Sequence, residues 1–162
     1  MSFTSGKTFS GTTTVNGGTL TLTGGNALVN SMAVTVNTGG LLKLASAEEI
    51  AALAGAGAVA LQGNVLTVSG GADSTLSGVM SGTGGALVKN GSGVFTLTGT
   101  NTFDGGVTLN AGAIQAGNAA ALGTGVLTFT GGRPSRFTNG RALRSSGDLD
   151  SSYVPSVIAR SE

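Results

Sequence analysis

The chain has 162 residues, 30 of them glycine, with 9% charged residues and a formal net charge of +1. A chain this neutral lacks the basic footprint that nucleic acids or anionic membranes attract. It contains no cysteine and no histidine, which excludes disulfides, thiolate metal sites and the commonest general base.

The first residues, 1–6, combine neither a basic region nor an apolar stretch, so we predict no signal peptide there. No window of the chain approaches 18 uninterrupted apolar residues, which predicts that no helix of this segment spans a membrane. We therefore expect no membrane insertion by this segment.

A long internal repeat is present. Residues 3–20 match residues 97–114 without a gap, 94 positions later. Phe3-Thr4 corresponds to Leu97-Thr98, and Val15-Asn16 corresponds to Leu109-Asn110. Duplication on this scale predicts a repeat architecture.

Short segments of alternating apolar and polar residues lie within and between the two copies. They are bounded by Gly, Asn or Ser and cover residues 20–23, 34–37, 41–44, 59–61, 65–68, 87–88, 94–98, 107–110 and 126–129. Strands this short, without hairpin spacing, favour a solenoid over a sandwich. We predict an all-β fold, a right-handed parallel β-helix over residues 1–132, with ~20 residues per turn and about six or seven turns.

Residues 46–53 interrupt this pattern. Ser46 followed three residues later by Glu49 matches a capping box, and Gly55 supplies a helix stop. We predict one short helix here, with Ile50 and Leu53 facing the solenoid.

Residues 91–114 carry the most ordered pattern, Gly-Ser-Gly-x-x-Thr-Leu-Thr-Gly-x-Asn-Thr-Phe-x-Gly-Gly-x-Thr-x-Asn-x-Gly. It resembles the autotransporter passenger-associated repeat, a motif of β-helical cell-surface passengers. The stretch that leads into it, residues 73–91, is also similar to that family. The resemblance implies a β-helical, adhesin-like passenger that lies at the bacterial cell surface or outside the cell.

Residues 133–162 differ in composition from the rest. They hold both Pro, the single Tyr and all five Arg, at positions 133, 136, 141, 144 and 160. No repeat continues into this region. We predict that it forms an irregular, Arg-containing extension or cap of the solenoid.

No catalytic, cofactor or metal site is predicted. The glycine motifs that bind phosphate or dinucleotides are absent, and the recurring Gly-x-Gly strings are typical of turns. Glu48 and Glu49 point apart, and Asp73 and Asp104 are isolated turn residues, so no acid/base pair is expected. We therefore predict a protein that is not an enzyme and uses no cofactor.

Threonine arrays are the candidate binding surface. Thr96, Thr98, Thr100 and Thr102 recur at every second position, the spacing that places side chains on one side of a strand. In one interpretation, this threonine face binds glycans, ice or a host protein. In the other, Thr is simply a favourable residue at solvent-facing strand positions.

The ends of the repeat region suggest self-assembly. The chain opens at Phe3 in the middle of a motif, and residues 126–132 close the repeats without an obvious cap. Exposed solenoid ends pair with something unless they are capped. We predict a structural stalk or fibre built by head-to-tail stacking, or a piece of a longer passenger, and the candidate contact residues are Phe3, Phe9, Val126, Leu127 and Phe129.

Overall fold

The computed structural model describes residues 1–131, apart from residues 5, 7, 9, 29 and 31. Those residues form sixteen short β-strands, all paired in parallel, and contain no helix. A membrane-spanning helix is consequently not found among them. The predicted C-terminal extension, residues 133–162, lies outside the described residues.

The strands, numbered in chain order, form three faces of a β-solenoid of about six turns. The first face contains β1 (Ser2–Thr4), β3 (Gly18–Thr23), β5 (Gly40–Leu44), β8 (Ala58–Ala60) and β11 (Met80–Ser81). The second face contains β6 (Glu48–Ile50), β9 (Val65–Val68), β12 (Ala86–Lys89), β14 (Val107–Leu109) and β16 (Leu127–Phe129). The third face contains β2 (Thr13–Val15), β4 (Ala33–Val36), β7 (Ala52–Ala54), β10 (Ser74–Leu76), β13 (Val94–Leu97) and β15 (Ala113–Ala116).

The third face consists of two three-stranded sheets. A parallel bridge between Gly55 and Leu76 joins them and continues the stack. The predicted parallel solenoid of short strands is therefore confirmed.

The core lies inside the three faces and follows from strand alternation. On β13, Phe95 and Leu97 are fully buried, whereas Thr96 between them is half-buried on the outer side. Along the second face, a file of inward side chains passes through Leu66, Leu87 and Val107. Most inward strand residues thus add an apolar layer to the core, because successive side chains point to opposite sides of a strand.

The two copies of the sequence repeat each make one turn, but they begin on different faces. Phe3 pairs with Leu22 on the first face, and Leu97 pairs with Ala116 on the third face, 19 residues apart in both cases. The two copies are therefore out of phase by one face. The motif specifies the shape of a turn and leaves open which face that turn starts on.

The predicted helix at residues 46–53 is wrong. Glu48–Ile50 is strand β6 and Ala52–Ala54 is strand β7, so both halves pair with neighbouring turns. Ile50 and Leu53 do face the core, as expected, but from two different faces. The capping-box pattern does not produce a helix, because strand pairing satisfies the same backbone groups and also buries Ile50 and Leu53.

Glycines allow the turns to approach closely at the corner between the third and first faces. A Cβ on Gly78 would lie 1.7 Å from the carbonyl oxygen of Gly57 one turn earlier. A Cβ on Gly99, one turn later, would lie 2.1 Å from the carbonyl oxygen of Gly78. Side chains are sterically excluded from this line of glycines.

We predict that Gly78→Ala lowers the free energy of unfolding by about 1–3 kcal/mol, because the backbone must shift to admit the methyl group. Thermal unfolding followed by circular dichroism measures the effect. Gly17→Ala is the matched control, since the nearest atom to its Cβ would be 4.0 Å away. Equal melting temperatures for the two variants would contradict the close approach.

Candidate binding surface

A file of outward side chains, most of them Thr, runs along the outside of the third face and is interrupted by Ala54. Strand register places Thr14 beside Thr35, Thr35 beside Ala54, and Thr75 beside Thr96. Gln115 follows Thr96, and their side chains are 3.5 Å apart. Neighbours in such a file are separated by about 4.8 Å, the spacing between strands.

The four threonines predicted as a binding face all point outward, but they turn a corner. Thr96 lies on the third face in β13. The Thr102 amide donates to the Met80 carbonyl on the first face, at 2.9 Å. Thr98 and Thr100 are exposed on the segment between them. The four side chains are therefore spread over two faces and the corner between them.

The outside of the second face is largely uncharged. Thr67, Val88, Thr108 and Thr128 form one outward file, which Glu49 begins. Val65 and Val126 flank this file and are 37% and 51% exposed. This surface offers hydroxyl and methyl groups and few charges to a partner.

The predicted stacking residues lie in the outermost described turns. Phe3 is in β1, at one edge of the first face, and packs partly buried against the core. Leu127 and Phe129 are in β16, at the opposite edge of the second face, where Leu127 is buried and Phe129 is partly buried. Val126 is exposed beside them. Phe9 lies outside the described residues.

Among the residues that the structure describes, three polar side chains are buried inside the solenoid: Glu48, Lys89 and Asn101. The carboxylate of Glu48 accepts hydrogen bonds from the backbone amides of Ala27 at 2.9 Å and Leu28 at 2.7 Å. Burial raises the pKa of Glu48, and the two amide donors lower it in part. Because Glu48–Ile50 is a strand, Glu48 lies on the same side as the buried Ile50; the helix predicted for these residues did not indicate its burial.

Lys89 interrupts an otherwise apolar inward file. Strand register places it between Val68 and Leu109, and it is 1% exposed. Its ammonium group donates to the carbonyl of Gly91. Burial lowers the pKa of Lys89, and the negative charge of Asp73 raises it in part.

Asn101 joins three successive turns. Its side-chain oxygen accepts from the Met80 amide at 2.7 Å, and its side-chain nitrogen donates to the Ala121 carbonyl at 2.5 Å. Asn101 belongs to the Asn-Thr-Phe element of the repeat, so the motif supplies a hydrogen-bonded link along the core. The equivalent position of the first copy is Lys7, outside the described residues.

The repeat also places asparagine pairs at the corners. Asn37 donates to Asn16 at 2.7 Å, and Asn110 donates to Asn90 at 2.6 Å, in each case between adjacent turns. Asn16 and Asn110 occupy the same position of the two repeat copies. The asparagine at this repeat position thus forms a hydrogen bond between adjacent turns in both copies, at two different corners.

The described part of the chain offers little chemistry beyond hydrogen bonding. Within it, no group of three or more His, Cys, Asp and Glu side chains is placed to hold a metal ion. Among these same residues, every buried side-chain nitrogen or oxygen has a hydrogen-bond partner. Two of these buried polar side chains, Glu48 and Asn101, link neighbouring turns, whereas Lys89 bonds within its own turn.

Comparisons with known proteins identify the repeat. A family model, described as passenger-associated-transport-repeat, matches residues 2–22 and 87–116. Over 97 residues, 55% of this chain, the sequence is 40% identical to the Adhesin BmaC autotransporter of Brucella suis biovar 1 (strain 1330). That stretch covers 3% of the relative's length. No solved structure matches the chain. The chain carries two copies of the passenger repeat, and the predicted resemblance is confirmed.

We predict that Lys89→Met raises the free energy of unfolding at pH 7 by about 1–3 kcal/mol, because an uncharged side chain of similar length removes a buried ammonium group. The folded-state pKa of Lys89 is lowered from 10.5, so the free-energy cost of burying the charged ammonium group is fully present below that lowered pKa. The penalty disappears as the pH rises to the unfolded value. Urea denaturation at several pH values measures both effects.

Lys43→Met is the control for this variant, because Lys43 points outward from β5. We expect little change in stability from it. A destabilised Lys89→Met protein, or a difference from wild type that grows with pH, would contradict the assignment of Lys89 as a buried charge.

Proposed function

We propose that the chain is a non-catalytic, rod-like segment of an adhesin-like passenger at the bacterial cell surface or outside the cell. The observation that carries the proposal is that one copy of the passenger repeat makes one turn of the solenoid. Adding repeats therefore lengthens the rod without changing its cross-section. The identity with an autotransporter adhesin supports the location and the adhesive context.

A stalk needs rigidity along its axis, and the hydrogen bonding of the interior supports this role. Backbone ladders run along all three faces, and Asn101 adds a side-chain link between turns. Six turns at about 4.8 Å per turn give a rod of roughly 30 Å. The wall carries few charges, which suits a spacer that contacts little besides its own neighbours.

The outermost turns support a finer proposal, that further turns stack on this segment. Phe129 continues the inward file of Val68, Lys89 and Leu109, and it is less buried than they are. Another solenoid turn placed on β16 would complete its burial. That turn would come from a longer passenger or from a second copy of the chain.

Stacking between copies is tested by sedimentation velocity and negative-stain electron microscopy over a concentration series. We expect rods that lengthen with concentration in the wild-type protein and fail to lengthen in Phe129→Arg. Val79→Arg is the control, because Val79 is 44% exposed on the side of the rod. Short rods of one length at every wild-type concentration would refute self-stacking, while leaving the passenger-segment proposal in place.

A second candidate function, a binding module for glycan, ice or a host protein, is favoured by the outward file on the third face. Thr75 and Thr96 stand side by side there, and Gln115 extends the row. Regularly spaced hydroxyl groups of this kind can match a repeating, uncharged ligand.

Beads coated with the protein test this alternative on glycan arrays and cultured animal cells. A binding module predicts that Thr75→Ala with Thr96→Ala lowers adhesion at least about tenfold, as expected when several ligand hydrogen bonds are lost. Thr108→Ala, on the second face, should leave adhesion unchanged. Equal adhesion of all variants would exclude the third-face file as the binding site.

A further inference from the structure

In the turn that contains β2 and β3, the described residues of the second face form no strand. At the turn preceding β6, the first face has β3 and the third face has β2, both paired in register with the next turn. The second face begins only at β6. Residues 24–28 occupy the position of a strand there and form an irregular segment.

The segment of residues 24–28 has an unusual backbone. Gly24, Gly25 and Asn26 have φ angles of 89°, 69° and 47°, so three consecutive residues are in the left-handed region. The chain then directs the amides of Ala27 and Leu28 inward, where both residues are fully buried. Buried amides must find acceptors, since an unpaired one costs about 1–3 kcal/mol.

Side chains of the following turn supply the acceptors. Glu48 receives the amides of Ala27 and Leu28, one on each carboxylate oxygen. Ser46 receives the amide of Gly25 at 2.7 Å. A carboxylate is suited to the inner pair because it offers two acceptor oxygens and no donor.

We propose that Glu48 is a clamp that joins the first turns of the solenoid to the remainder, and that the solenoid opens first at this level. The first face also has no strand beyond β11 in the described residues. Backbone hydrogen bonds still join its turns there, from the Thr102 amide to Met80 and from the Thr124 amide to Phe103. Between residues 24–28 and β6, side chains accept the hydrogen bonds instead, two of them on the buried carboxylate of Glu48. The ladders of the other two faces cross this level, so we expect loss of Glu48 to open the second face here before the rest of the solenoid.

Hydrogen exchange by NMR on the full chain tests the proposal, because several amides report on this level alone. The Ala45 amide donates to Leu22 at 2.8 Å and the Ala51 amide to Met32 at 2.9 Å, both across the proposed opening. The Asn90 and Asn110 amides donate to Val68 and Lys89 and report on distant turns.

Glu48→Gln keeps the shape of the side chain but replaces one acceptor by a donor. We expect exchange at Ala27, Leu28, Ala45 and Ala51 to accelerate roughly tenfold or more, with Asn90 and Asn110 unchanged. Glu49→Gln, one residue along the same strand and pointing outward, should alter none of them. Equal acceleration at all of these amides would show that the solenoid opens as one cooperative unit. No acceleration would show that the hydrogen bonds of Glu48 do not stabilise this level. Either result would overturn the proposal.

The wild-type protein provides an independent measurement if the Gln variant does not fold. In native-state exchange at rising urea concentrations, we expect Ala45 and Ala51 to exchange through an opening smaller than global unfolding. Asn90 and Asn110 should exchange only with global unfolding. A common urea dependence for the four amides would refute an early opening at this level.

Discussion

The structure depends on the parallel backbone ladder between successive turns. Every strand pair joins residues 17 to 22 positions apart, so each turn must return to the same place about one strand spacing further along the axis. This constraint decides which residues are tolerated at each position. Inward positions must be apolar or fully hydrogen-bonded, and tight corners must be glycine, as at Gly78. The outer surface is the only part left to vary.

The faces are similar enough for one motif to begin on either the first or the third of them. The two repeat copies begin on different faces, yet each places an apolar strand residue inward and an asparagine at a corner. Two copies of the motif can therefore be built into one solenoid even though they are not separated by a whole number of turns.

Two of the buried polar side chains lie where the backbone ladder between turns is incomplete. Asn101 links turns beside a segment without a regular strand, and Glu48 replaces a missing strand. Both use side-chain acceptors to satisfy backbone amides that water cannot reach. Lys89 differs, because it satisfies its own ammonium group with one carbonyl and supplies no link between turns. The interior thus combines two residues that link neighbouring turns with one buried ammonium group that does not.

The sequence alone determined the solenoid, because alternation within short strands and glycine between them are local properties that survive in the fold. It also determined the strands at residues 65–68 and 94–97 almost to the residue. Only the tertiary structure decided the fate of residues 46–53, whose capping-box pattern gives way to strands β6 and β7 once neighbouring turns offer pairing. The outward files, including the row through Thr75 and Thr96, were equally hidden. Turn length varies from 17 to 22 residues, so no fixed period reveals which side chains meet across turns.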